Sequence, residues 1–152
     1  MKHFEPVVVA FCCTFCADNA GSGVQSKKSA GPSVRVIKLP CVGKIDAIHV
    51  LKAFAAGADG VFVAGGPFGQ CRFIEGMTTA QKKIEYTKKL LKELGIEPAR
   101  LEAIALSQTE GKQFIEAAEE LVKRVRALGP SPLKKQRKQH RAINHRAHSL
   151  RR

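Results

Sequence analysis

Five cysteines, Cys12, Cys13, Cys16, Cys41 and Cys71, are the residues of this chain whose type and spacing could do chemistry. Three fall in the run Cys12-Cys13-Thr14-Phe15-Cys16, and Cys41 and Cys71 follow singly. Four thiolates suit tetrahedral zinc or an iron–sulfur cluster, since both favour soft donors. Structural zinc sites usually show two Cys-x2-Cys pairs, and here only Cys13 and Cys16 form one. The spacing also differs from the common ferredoxin patterns. Cys13-Thr14-Phe15-Cys16 has the form of a thioredoxin-like redox pair after a strand, yet no helix signal follows and three cysteines are left over. Any one cysteine can also serve as a small buried hydrophobe. Spacing alone therefore leaves zinc, iron–sulfur and thiol chemistry open.

Other chemistry is thinner. Gly21-Ser22-Gly23 lacks the phosphate-binding lysine and the third glycine of a dinucleotide fingerprint. Gly65-Gly66 fits a tight turn over a metal site as well as an approach to phosphate. His49 falls inside a helix and reads as packed or solvated. No serine–histidine–acid arrangement is legible.

The elements that must position the thiols follow from pattern. Pro6 to Cys12 is a continuous apolar run, as in a strand buried on both faces. A loop rich in small and polar residues, Ala20 to Pro32, leads to a second strand, Val34–Leu39, which stops at Pro40-Cys41. Asp46 opens a helix to about Ala56, with Ile45, Ile48, Leu51 and Phe54 as apolar contacts and Gly57 as its stop. Gly60–Ala64 is a third strand and runs into the loop that carries Cys71. A helix from about Thr78 to Leu94 buries Ile84, Leu90, Leu91 and Leu94, and Gly95 ends it. Leu101–Leu106 is a fourth strand. A last helix, about Gly111 to Leu128, spaces Phe114, Ile115, Ala118, Leu121, Val122 and Val125 on one face.

This order predicts an α/β fold: one doubly wound domain, with a four-stranded, mostly parallel sheet flanked by helices. Every cysteine then falls at or just after the carboxyl end of a strand. Ligands bind at that edge of an open parallel sheet, where strand order reverses. Three separate segments would bring their thiols together there.

A chain of 152 residues can build one core without disulfides. No window approaches eighteen consecutive apolar residues, so no membrane span is expected. The short apolar run near the start leads into cysteines, unlike a signal peptide, and a cytoplasmic location is the default. A reducing cytosol argues against a disulfide framework.

The net charge of +13 suggests nucleic acid until it is located. Residues 134–152 hold eight Lys and Arg and no acid, which leaves five net charges for residues 1–133. The expected organisation is an α/β domain over 1–133 and a basic, disordered tail over 134–152. Such a tail offers nonspecific contact with anions or nucleic acid, but it has no aromatic platform for stacking bases.

Several segments together resemble the delta subunit family of methyl-viologen-reducing hydrogenase, the hydrogenase iron–sulfur subunit. They are Val8 to Cys16, Val34 to Asp46, Val50 to Ala64, Gly69 to Gly76, Leu90 to Pro98 and Leu128 to Leu133. The resemblance covers about residues 6–133. It implies an electron-transfer subunit with one [2Fe–2S] cluster and no substrate chemistry of its own. Its partners would be a hydrogenase or formate dehydrogenase and the flavin-bearing subunit of heterodisulfide reductase. The implied ligands are Cys13, Cys16, Cys41 and Cys71, with Cys12 directed into the core or trading places with Cys13.

The chain departs from the family pattern at Gly66, where a cysteine is usual, and at Arg72, where a histidine is usual. Arg72 adds positive charge beside the cluster and is expected to raise its reduction potential. Potentiometry on Arg72→His checks this; an unchanged or higher potential counts against it. Two other readings stand beside the relay. One is a cluster-less zinc- or thiol-based regulatory or sulfur-handling protein on the same scaffold. The other is a nucleic-acid-binding protein driven by the tail.

Overall fold

A computed structural model describes residues 4–14, 34–67, 71, 75–106, 111–134 and 136. Four strands, β1 (Val8–Cys13), β2 (Val34–Leu39), β3 (Gly60–Gly65) and β4 (Leu101–Ala105), form one sheet in the order β2-β1-β3-β4. All three pairings are parallel. Strand order reverses between β1 and β3, and both are buried along their whole length. That is why their sequences are continuously apolar instead of alternating.

Three long helices are α1 (Ala47–Ala56), α2 (Gly76–Glu93) and α3 (Gly111–Leu128). They divide between the two faces. Val9, Phe11 and Cys13 of β1 and Val61 and Val63 of β3 share a core with Val50 and Phe54 of α1 and Ile84 and Leu91 of α2. Val8, Ala10, Cys12, Phe62 and Ala64 pack instead under Phe114, Ala118, Leu121 and Val125 of α3. Phe62 and Phe114 meet with ring centroids 5.2 Å apart. Gly60 lets α3 approach, because a Cβ there would lie 2.8 Å from a Val125 methyl.

Two expected core contacts face outward. Ile48 is 52% exposed, whereas Phe54 is buried as expected and Val50, not among the expected contacts, is buried too. The expected apolar spacing counts from Ile45, which is buried but precedes the helix, so the true phase differs. Leu94 is 57% exposed because the helix ends at Glu93. Edge strand β2 is mostly exposed on both faces, in contrast to its neighbours.

Among the described residues, no helix is long and apolar enough to cross a membrane. The first residue of the expected tail is tied down: Lys134 pairs with Asp59 at 2.8 Å, close to the buried end of the domain at Ser131. The expected disorder of the remaining tail lies outside the described residues, apart from Gln136.

Candidate metal centre

The carboxyl ends of β1 and β2 are joined by the chain that leaves them. Thr14 follows β1 and donates to the Leu39 carbonyl through both its N–H, at 2.7 Å, and its hydroxyl, at 2.9 Å. The two strands therefore finish level, with Cys13 beside Leu39 in the register. The Cys13 thiol points at the Pro40 carbonyl, 3.7 Å away, and Cys41 comes next in the chain.

Cys41 enters a single 3-10 turn, Val42–Lys44, closed by Lys44 N–H to the Cys41 carbonyl at 3.1 Å. Its side chain is 7% exposed. The Cys41 Sγ lies beside the Gly43 backbone and against Cys71. Both sulfurs rest on Gly76, the first residue of α2. A Cβ at Gly76 would sit 2.7 Å from the Cys41 sulfur and 2.9 Å from that of Cys71. No real Cβ tolerates such contacts, so only glycine admits both thiols.

Burial pushes the Cys41 thiol pKa up; the Gly43 N–H opposes this, and the neighbouring Cys71 and Cys13 raise it further. The opening of α2 works in the opposite sense. Its first backbone bond runs from Thr79 N–H to the Glu75 carbonyl at 2.8 Å. A helix of 18 residues presents about half a positive charge at that end, which favours thiolate over thiol.

Adjacent side chains on a strand point to opposite faces, and the structure separates Cys12 from Cys13 accordingly. Cys13 lies on the α1 and α2 side with Cys41 and Cys71. Cys12 lies on the α3 side among Ala64, Leu106 and Phe114. Its pKa is pushed up to about 12, chiefly by burial, with Lys38 opposing and Cys13 adding. Cys12 is thus an inert thiol in an apolar layer.

Of the expected ligands, then, Cys41 and Cys71 are brought together, Cys13 shares their side of the sheet, and Cys16 falls outside the described residues. Arg72 does too, whereas Gly66 is buried directly after β3. Among the described residues, no group of three His, Cys, Asp or Glu side chains is gathered tightly enough to hold a metal. The donor chemistry nevertheless fits a soft metal or cluster: thiols from separate segments, with space kept for two of them by a glycine.

Sequence reasoning missed Gly76, Gly43 and Lys83. Gly76 opens α2 two residues before the expected start, and nothing in the sequence pattern signals that it underlies two thiols. Gly43 faces Gly76, and a Cβ on it would lie 3.1 Å from the Gly76 Cα. His49 is exposed and closes the start of α1 by accepting the Asp46 N–H on Nδ1 at 3.0 Å.

Comparison with known proteins places these features in a lineage. The family model described as methyl-viologen-reducing hydrogenase, delta subunit, matches residues 8–129. The vhu iron-sulfur subunit of the F420-non-reducing hydrogenase of Methanocaldococcus jannaschii is 40% identical over 136 residues, covering 87% of this chain and 99% of that one. The protein of the same name from Methanopyrus kandleri is 42% identical over 130 residues, covering 83% and 96%. A ferredoxin:CoB-CoM heterodisulfide reductase subunit from Methanosarcina mazei is 37% identical over 129 residues, covering 82% of this chain but only 16% of that larger one.

Proposed function

The chain belongs to the methyl-viologen-reducing hydrogenase delta-subunit family, and from that premise we propose that it is an electron-transfer subunit carrying one [2Fe–2S] cluster. The observation that carries this reading is the convergence of Cys41 and Cys71 on Gly76, with Cys13 on the same side of the sheet. Cys13, Cys16, Cys41 and Cys71 are the proposed ligands, with Cys12 as the alternate to Cys13; the packing of Cys12 under α3 supports a core role for it. Gly66, standing where the family has a cysteine, leaves this set of four. A bound [2Fe–2S] cluster supplies a one-electron centre. The protein's part is to hold and shield it: the packing of β1, β3 and α2 limits water, and the Gly43 backbone lies beside a ligand sulfur.

The proposed partners follow from the relatives. Two of them are named as iron-sulfur subunits of hydrogenases, which supports a hydrogenase as donor, with formate dehydrogenase as the alternative. A similar segment lies within a much longer heterodisulfide reductase chain, and this supports the flavin-bearing subunit of that enzyme in the role of acceptor.

Anaerobic purification, iron and sulfide counts, and electron paramagnetic resonance after dithionite reduction test the proposal. Roughly two irons and two sulfides per chain with a spin-half signal are expected. A colourless protein that takes up no cluster on reconstitution would overturn it and leave zinc or thiol chemistry in the lead.

A further inference from the structure

We propose that Lys83 is a positioning residue of the thiol site, clamping the turn that carries Cys41 onto α2; this rests on reading Cys41 and Cys71 as metal ligands. The Cys41 turn meets the start of α2 through the Val42 and Met77 side chains over Gly65, but at Gly43 and Gly76 it does so through bare backbone. A Cβ on Gly43 would lie 3.1 Å from the Gly76 Cα and 3.2 Å from its carbonyl oxygen. Two glycines in contact have no side chains to interlock, so the Gly43 peptide is fixed by no side chain of its own. The Cys41 sulfur nevertheless depends on where that peptide lies, because it sits between the Gly43 backbone and the Gly76 Cα.

Lys83 supplies the missing tie. It stands about two helical turns beyond Gly76, which brings it back to the same side of α2. Its ammonium donates to the Gly43 carbonyl at 3.0 Å and pairs with the Asp46 carboxylate at 2.8 Å. One cation thus holds the turn and the residue that opens α1. The pair is partly exposed, 36% at Lys83 and 56% at Asp46. An exposed pair of this kind adds little to stability. Its consequence is geometric: without it the Gly43 peptide is free to turn, and the Cys41 sulfur loses both its backbone support and its fixed distance from Cys71.

Cobalt(II) titration of the full-length, metal-free chain under anaerobic conditions, in competition with a chelator, tests this. Groups that orient metal ligands typically change affinity by roughly 10- to 100-fold. Lys83→Met is expected to lose affinity in that range and to alter the sulfur-to-cobalt charge-transfer bands, with its urea midpoint little changed. Lys83→Arg, which keeps the charge and donors, is expected to restore most of both. Should Lys83→Met fail to fold, Asp46→Asn removes only the exposed arm, and a smaller loss in the same direction is expected. Wild-type binding with unchanged affinity and spectrum in the variants overturns the role of Lys83 alone. A wild-type chain that binds no cobalt overturns the ligand reading and this inference with it.

Discussion

The two ends of the sheet are held by different means. At the amino end, ionised side chains satisfy buried backbone groups. Asp59, fully buried, accepts N–H bonds from Val7 and Ser131, both at 2.9 Å, and the Lys134 ammonium at 2.8 Å. Arg100, also fully buried, donates to the carbonyls of Asp59 at 3.0 Å and Gly129 at 2.8 Å while paired with Glu97. The Gly129 carbonyl lies just past α3, where helical carbonyls lack partners. At the carboxyl end, glycines and thiols meet by close contact, and the cysteine sulfurs keep capacity to bind something else. One end ties its charged side chains into networks, with the buried Ser131 hydroxyl left without a partner among the described residues; the other brings thiols together without such a network. On the proposed reading, stability and metal binding belong to opposite ends of the same strands.

The sharpest test of that division is Asp59→Ala. Removing one partner from a buried charged network costs about 3–5 kcal/mol. Urea denaturation should show a loss of that size, with the metal content of the folded fraction unchanged. A loss of metal in proportion to stability would break the comparison.

Gly76→Ala should act at the other end. Overpacking costs about 1–3 kcal/mol, and here the intruding methyl strikes both thiols. Metal bound per folded chain should therefore fall much further than stability does. Normal iron and sulfide counts in this variant would show that the two sulfurs do not share a site over the helix start.

A smaller contrast compares neighbours on β1. Cys12→Ala should cost about 1 kcal/mol, an ordinary value for a point substitution, and retain the cluster. Cys13→Ser should keep the fold and lose the cluster. Iron analysis of the two variants side by side decides which face holds the metal, and equal iron in both would remove Cys13 from the ligand set.

The last effect is invisible at neutral pH. The Cys12 thiol ionises at an ordinary 9.0 when unfolded and near 12 when folded. The folded state therefore keeps its full advantage below pH 9 and loses it as the pH rises towards 12. Denaturation of wild type against Cys12→Ala across that range should show the wild type alone carrying this increment of alkaline destabilisation.

Much of this arrangement was legible in the sequence. The continuous apolar runs of β1 and β3 marked strands buried on both faces, and β2 and α3 have the bounds their patterns implied. The placement of cysteines after strands pointed to the carboxyl edge, because strand ends are set by local breaks such as Pro40. Ile48 was not legible in this way, since a helix's phase depends on where it starts and Ile45 lies outside α1. The networks around Asp59 and Arg100 left no local trace. Their partners lie 41 and 72 residues away in sequence, as in Arg100 to Asp59 and Ser131 to Asp59.

What the sequence determined by itself is the local part: element types, their order, and the fact that Cys12 and Cys13 face opposite ways. Strand geometry alone enforces that alternation. The tertiary structure decided which side is which. Crossovers placed α1 and α2 on one face and α3 on the other, so Cys13 joined Cys41 and Cys71 while Cys12 was sealed beneath α3. It also brought Gly43, Gly76 and Lys83 together, because contact between distant segments depends on the path of the whole chain.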